Sequence, residues 1–472
     1  MAKITIPTIE TTRRTVLKGA AATAAVGAVG LHAPAVIGQA KPFDGVTING
    51  ASFQHVFHTY LKEYIPEFEE QTGMKVNFTT QAFPIYNQRA DLELSTQGSA
   101  WDFLNVTFIY TGRWIGAGWL TPLDDFVDDP NLTPADWDAG DFVGGAQSSL
   151  QDADGKTYGF AWEAGAMIMA MGRGDLLDQA GVAMPTTFEE LITVCDAIHD
   201  QEGVAAFVAD KLHHWNWIPY LMGHGGGVFR DPPEDLMPTF DTPEAAEAAE
   251  YYANLLTTYG PSGVLSFTDD QAMRAQLAGR ANIRTQAIGW MTPLAKHEES
   301  TVKDTVRYGL MPGGPAGNFP GSNSHGFGIP VGAKNKEAAW EFIKWAMGKE
   351  MIRRIALEKG YSAVCRRSVI EDPAYKEALT LNGQDVAGLY LQVLELGGKS
   401  GYMKYRTVPV FPQAGEIKPG EQLKLDPVGG TVENLTTGSS YQVAGLPAHL
   451  MEMVGAGGLM PWLQQRIDRG EI

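Results

Sequence analysis

A chain of 472 residues is longer than one compact core usually supports, so two lobes are expected. Acidic residues outnumber basic ones by 55 to 36, for a net charge of −19. That balance argues against nucleic acid and anionic membranes as partners, because both are bound through basic patches. Two cysteines, Cys195 and Cys365, exclude a disulfide scaffold; an exported chain could form one bridge, but their wide separation favours two unpaired, buried thiols.

In chain order, Arg13-Arg14 stand directly before an apolar run from Gly19 to Ile37, which closes on Gly38-Gln39-Ala40. A basic segment, a short apolar segment and a small-residue site together read as a removable export signal over residues 1–40. The paired arginines point to the twin-arginine route, which carries folded proteins across a bacterial inner membrane. Loss of Lys3, Arg13, Arg14 and Lys18 against Glu10 would leave the mature chain more acidic still. No later stretch approaches the ~20 consecutive apolar residues of a membrane helix. The mature protein is therefore expected in the periplasm, soluble and without membrane insertion.

Val46-Thr47-Ile48 reads as a first strand, followed by a polar turn at Asn49 to Ser52. Tyr60 to Glu70 has helical spacing of Leu61, Ile65 and Phe68 before Gly73. Lys75 to Thr79 alternates as a strand, Tyr86 to Leu94 is helical, and Trp101 to Thr107 is a buried strand. The alternation predicts an α/β layer structure with a mainly parallel sheet. Further on, Thr186 or Thr187 caps a helix with Glu189 and Glu190 in its first turn, and Asp241-Thr242-Pro243-Glu244 opens another. Lys334 to Ala346 is amphipathic. Gly- and Pro-rich stretches at 311–333 and 409–430 read as loops.

Catalytic motifs are weak. His224-Gly225-Gly226-Gly227 imitates an oxyanion loop, but no Gly-x-Ser-x-Gly elbow accompanies it. Asp152-Ala153-Asp154-Gly155 begins like a calcium loop and then lacks the later oxygen ligands. No Walker loop, His-Glu-x-x-His or paired Cys-x-x-Cys occurs, so no catalytic residue, metal or cofactor is expected.

Several segments in order carry a resemblance. Gly155-Lys156-Thr157-Tyr158-Gly159-Phe160-Ala161-Trp162-Glu163 is followed by Pro185-Thr186-Thr187-Phe188-Glu189-Glu190, then by Leu277 to Trp290, and then by Met311 to Trp345. Together they resemble the sugar-binding (family 1) branch of the extracytoplasmic solute-binding proteins of ABC importers. The match is good over 45–375 and loose over 400–472, and Gly360-Tyr361-Ser362-Ala363-Val364 lacks a proline usual there.

The resemblance implies two discontinuous α/β lobes with a hinge and an interlobe cleft, the type II architecture of periplasmic binding proteins. The lobes would comprise 41–159 plus 283–328, and 160–282 plus 329–472. Crossings would fall near Tyr158–Trp162, Ala281–Ile283 and Phe327–Val331, with Gly159, Gly326 and Gly328 as candidate hinges. The implied partners are a small carbohydrate (a sugar, oligosaccharide or polyol) and the membrane permease of the importer. A monomer is expected.

A sugar offers apolar C–H faces and a ring of hydroxyls, so its site needs flat aromatics and converging polar groups. Trp290 after Gly289 is the leading candidate, with a core tryptophan as the alternative. Glu163 can accept two hydroxyl hydrogen bonds, and Trp162 precedes it. The run His213-His214-Trp215-Asn216-Trp217 offers His214, Trp215 and Trp217 for stacking, or for core packing. First-lobe candidates are Gln54, His55, Phe83, Tyr86, Asn105, Thr107 and Tyr110. Ser324, His325 and Arg406 complete the set. Two other readings stay open: a secreted glycoside hydrolase with two cleft carboxylates, and a binding protein for a cationic solute such as a polyamine.

Overall fold

The computed structural model describes residues 41–399, apart from Pro42, residues 232–234 and Ser322. It also describes residues 421–442 apart from 427 and 428, together with Arg469. The expected export signal, Arg406 and most of the 409–430 stretch lie outside the described residues.

β1 (Thr47–Phe53) runs straight through the segment that reads as a turn. Its whole length pairs in parallel with β2 (Lys75–Gln81), from Thr47↔Lys75 to Phe53↔Gln81, and Ile48 and Ala51 are buried. A continuous ladder and a buried face outweigh the local turn preference of Asn49-Gly50. α1 (Val56–Thr72) starts a turn earlier than its apolar spacing suggests, because the His55 ring accepts the Phe57 N–H at 3.2 Å and caps it. Phe57, Leu61, Ile65 and Phe68 form its buried stripe, and Gly73 in the left-handed region ends it. α2 (Phe83–Ser95) leads to β3 (Phe103–Thr107), which is buried throughout.

β4 (Phe160–Ala164) and β5 (Met167–Met171) follow. α3 (Phe188–Ile198) has the expected cap at Thr187, whose Oγ1 accepts the Glu190 N–H while Glu190 reaches back to the Thr187 N–H. β6 (Ala205–Phe207) precedes α4 (Pro243–Thr257), capped by Thr242 as its sequence predicts, and α5 (Asp269–Leu277). β7 (Ala281–Ala287), β8 (Arg307–Leu310) and β9 (Ser324–Gly328) are followed by α6 (Lys336–Ala346), α7 (Lys349–Lys359) and α8 (Val386–Lys399).

Two sheets organise these elements. The first has the order β2-β1-β3-β9-β4 and the second β8-β5-β7-β6. Each mixes directions. β1 is parallel to β2 and β3, whereas β9 is antiparallel to β3 and β4. β7 is parallel to β6 and antiparallel to β5, which also pairs antiparallel with β8. A mainly parallel sheet is therefore not what forms, because strands that cross between lobes enter the next sheet in the opposite direction.

The lobe boundaries also differ from those expected. β4, assigned to the second lobe, pairs in the first sheet, and β8, assigned to the first, pairs in the second. α6 packs on α1 and β3, α7 packs on α1, and α8 joins the same large core, so 329–399 belongs mostly with the first lobe. Between the two sheets the chain crosses at Gly165-Ala166, between β4 and β5, and again between β8 and β9. Gly326 and Gly328 are not hinges but strand residues in close contact. A Cβ on Gly326 would stand 2.6 Å from the Phe160 carbonyl oxygen, and one on Gly328 would stand 2.4 Å from that of Tyr158. Gly159 likewise precedes β4 inside the first lobe.

Cys365 lies in the first core and Cys195 in the second, so the two thiols are buried apart and free. Among the described residues no helix is long and apolar enough to cross a membrane.

Candidate functional site

Where the chain passes between the sheets, a cavity of about 500 Å³ opens. The first lobe lines it with Phe83 at the start of α2, Phe108 and Ile109 after β3, Glu163 in β4 and His325 in β9. The second lobe contributes Leu212, Trp215, Ile218, Asp269 and Gln286, while Trp290 stands just past the end of β7. These groups gather near strand ends, where open α/β sheets hold their ligands. Phe108 and Trp215 face each other across the lobes with ring centroids 5.7 Å apart. Among the described residues no lysine or arginine lines this cavity.

Glu163 is the polar centre on the first-lobe side. His55 Nδ1 accepts the helix-capping N–H of Phe57, so its proton sits on Nε2, which lies 3.5 Å from Glu163 Oε1. Burial alone would raise the Glu163 carboxyl, but the pull of His55 and its hydrogen bond, with His325 beyond, outweigh it and hold the group below its ordinary value. Burial drives His325 down to about 4, against the pull of Glu163. His58, 1% exposed, is pushed well below its ordinary value by burial and by His55.

Both histidines are therefore neutral in the folded protein at pH 7, whereas unfolded chains take up their protons near pH ~6.5. Their contribution to stability is complete above that pH and is lost as pH falls toward the folded values. His325→Gln should therefore reduce the stability lost between pH 7 and pH 5 by on the order of 1 kcal/mol, read by urea unfolding of both proteins. Parallel profiles would contradict this. The comparison with wild type is essential, because Asp269 titrates in the opposite sense.

On the second-lobe side a buried network supports the wall. Asp210 Oδ2 accepts Arg284 Nη2 at 2.7 Å and Gln286 Nε2 at 3.0 Å, and Asp269 is ion-paired to the same guanidinium. Gln286 Oε1 accepts the Trp215 indole N–H at 3.3 Å. The chain of bonds thus runs from the lobe interior to an aromatic ring in the cleft. Burial pushes Asp269 up to about 6 despite Arg284, and Asp210 adds to the rise. Asp210 stays below its ordinary value because Arg284 and the Leu212 N–H outweigh its burial. Asp269 Oδ2 and Asn323 Oδ1 are buried without a partner among the described residues.

The structure gathers only part of the sequence-expected set. Trp290, Glu163, Trp215, Phe83 and His325 line the cavity, and His55 backs Glu163. Trp162 does not reach it. Its ring is fully buried, donates to Asn105 Oδ1 at 3.0 Å, and stacks on Phe57 and His325, because alternate residues of a strand point to opposite faces. Asn105, Thr107 and Ser324 are buried in strands, and the hydroxyl of buried Tyr86 donates to the Asn105 carbonyl. Tyr110 stacks on Trp114 at 5.7 Å and lines no described cavity. Trp217 packs against Phe240 and Ile218, turned away from Trp215 by the helical step. Gln54 is exposed outside the cavity. The side chain of His214 lies outside the described residues, as does Arg406.

Residues 56–352 match the family of bacterial extracellular solute-binding proteins, more than half of the chain. The chain belongs to this family. An erythritol/L-threitol-binding protein of Mycolicibacterium smegmatis is 23% identical over 70% of this chain and 72% of its own length. A maltotriose-binding protein of Pyrococcus abyssi is 25% identical over 73% of this chain and 70% of its own. Among solved structures, an ABC-transporter solute-binding protein of Agrobacterium radiobacter in complex with ribitol superposes with a TM-score of 0.67. It covers 80% of this chain and 92% of its own, at 23% identity.

For a solute-binding protein, the residues that sequence reasoning missed are telling. Asn282, Arg284 and Gln286 alternate along β7, whose seven residues are all buried. Polar residues at a period of two, beside Ala281, Ile283 and Ala287, were the available signal. Gly165 was missed as well. A Cβ there would stand 3.1 Å from Trp215 Cη2, so the crossing passes directly beneath the aromatic wall. Gly165→Val should displace that ring and weaken solute binding at least fivefold, read by calorimetry, while the melting transition stays cooperative. Unchanged affinity would detach Trp215 from the site.

Proposed function

We propose that this solute-binding protein captures a neutral carbohydrate or polyol between its lobes and presents it to the membrane permease of an ABC importer. The observation that carries the reading is the cavity itself. Aromatic rings from both lobes offer surfaces for C–H faces, and a few converging polar atoms offer hydrogen bonds from each side. A solute that touches both lobes favours the closed arrangement by its differential affinity. Glu163, His325, Asp269 and Gln286 would bond its hydroxyls, with Trp290 and Trp215 stacking on it. Family membership gives an extracytoplasmic place, and Arg13-Arg14 support export by the twin-arginine route to the periplasm. The protein would work there as a monomer.

A thermal-shift screen of sugars, polyols, polyamines and amino acids tests this. A specific solute at 100 times its dissociation constant adds about 2.7 kcal/mol of stability. Shifts by hydroxylated solutes alone are expected, and a shift by polyamines alone would defeat the reading. A hydrolytic reading draws on one observation: lowered Glu163 and raised Asp269 share the cavity, the split in acidity that glycoside hydrolysis uses. More than stoichiometric release from a chromogenic glycoside would favour it, and none is expected.

A further inference from the structure

Glu163 lines the cleft as a carboxylate, and among the described residues no lysine or arginine is ion-paired to it. A buried carboxyl left to itself takes up a proton, which turns one of its acceptor oxygens into a donor. His55 answers this from behind. It does not line the main cavity but faces an adjoining one of about 480 Å³, which Glu163 and Trp290 also line. Two contacts fix its ring: Nδ1 accepts the Phe57 N–H at 3.2 Å as the cap of α1, and Nε2 lies 3.5 Å from Glu163 Oε1. Trp162, Phe53 and Tyr361 box the ring in, with centroids 4.8, 5.9 and 6.4 Å away. Because the cap uses Nδ1 as an acceptor, the hydrogen on Nε2 is offered to Glu163 for as long as the first turn of α1 is intact.

We propose that His55 is a positioning residue for solute capture: held by the first turn of α1, it aims Glu163 into the cleft and keeps that side chain an acceptor of solute hydroxyls, without touching the solute itself. This rests on the reading of Glu163 as a solute-binding group and adds the residue that makes it one. The other titratable groups around Glu163 do not replace His55. His325 of β9 is neutral at pH 7, and burial keeps Tyr361, Cys365 and Tyr390 protonated. Lys296 and His297 share only the adjoining cavity with Glu163. Asp269 shares the main one, where a second negative charge would favour protonation of Glu163 rather than oppose it. A single side chain thereby ties a local event, the start of a helix, to the acceptor face of the cleft.

Two substitutions separate the two contacts of the ring. His55→Asn keeps a good helix cap but is too short to reach Glu163, whereas His55→Gln carries an amide N–H to the place of Nε2 and gives up the cap. His55→Gln should therefore melt lower than His55→Asn, while binding follows the reverse order. Calorimetry with hexitols, hexoses and disaccharides should find His55→Asn about tenfold weaker than wild type and His55→Gln within about threefold of it. Carboxyl-carbon NMR of the solute-free, glutamate-labelled protein, with the Glu163 signal assigned by its loss in Glu163→Gln, should show that group titrating at higher pH in His55→Asn. In a Glu163→Gln background, His55→Asn should weaken binding little further. Affinities that track melting temperature in both variants, a Glu163 titration unmoved by His55→Asn, or a full additional loss in the Glu163→Gln background would overturn the role of His55 while leaving carbohydrate capture standing. No binding of any of these solutes by wild type would overturn both.

Discussion

Replacing Arg284 with methionine should lower the unfolding free energy by about 3–5 kcal/mol at neutral pH, the usual cost of removing one partner from a buried ion cluster. Arg284 and Asp210 are at 0% and 1% side-chain exposure, and Asp269 is at 20%. Without the guanidinium, two carboxylates would share a dry site with no counter-charge, and Asp269, already pushed up to about 6, would rise further. Gln286 would lose its orientation, because the Asp210 oxygen that holds it would no longer be fixed. Denaturant unfolding reads the loss, and the triple variant Asp210→Asn, Asp269→Asn, Arg284→Met should recover much of it. Among the described residues Arg284 Nε and Nη1 have no partner, so the cluster is not a fully satisfied network that neutral groups could never match. A loss below about 1 kcal/mol would mean that the cluster is wet rather than buried.

The second large effect concerns binding. Trp290 is 44% exposed and lines both cavities, so Trp290→Ala should leave the melting temperature within a few degrees of wild type. It should also weaken solute binding by more than about 1 kcal/mol, at least fivefold in dissociation constant, by removing the stacking surface. Trp162→Ala should do the reverse in kind. Its ring is buried between Phe57 and His325, and deleting it costs about 3–5 kcal/mol of stability. Calorimetry and circular dichroism melts on both variants separate a site tryptophan from a core tryptophan. An unaltered affinity for Trp290→Ala would move that residue out of the site.

The contrast between these tryptophans marks what could be read from sequence. Helix caps at Thr187 and Thr242 and the stripe of α1 are local, and local chemistry fixes them. The two-lobed class was legible from the order of segments. The crossings were not, because a glycine forced by close strand contact, such as Gly326, looks the same in sequence as a hinge glycine. Site residues followed the same divide. Trp290 and Glu163 were named because the resemblance supplied their positions, and both line the cavity. Trp162, Asn105 and Thr107 were overcounted because the face of a strand that meets the cleft depends on which sheet it joins, a long-range fact. Asp210, Arg284 and Asp269 come from three separate elements, and nothing local brings them together.

Direct titration of the wild-type protein with neutral saccharides and polyols, followed by heat at several temperatures, addresses the central claim. Capture between two lobes predicts one molecule bound per chain and a negative heat-capacity change from burying ring faces against aromatic walls. Heat from cationic solutes with none from any hydroxylated one, or more than one equivalent site per chain, would contradict it.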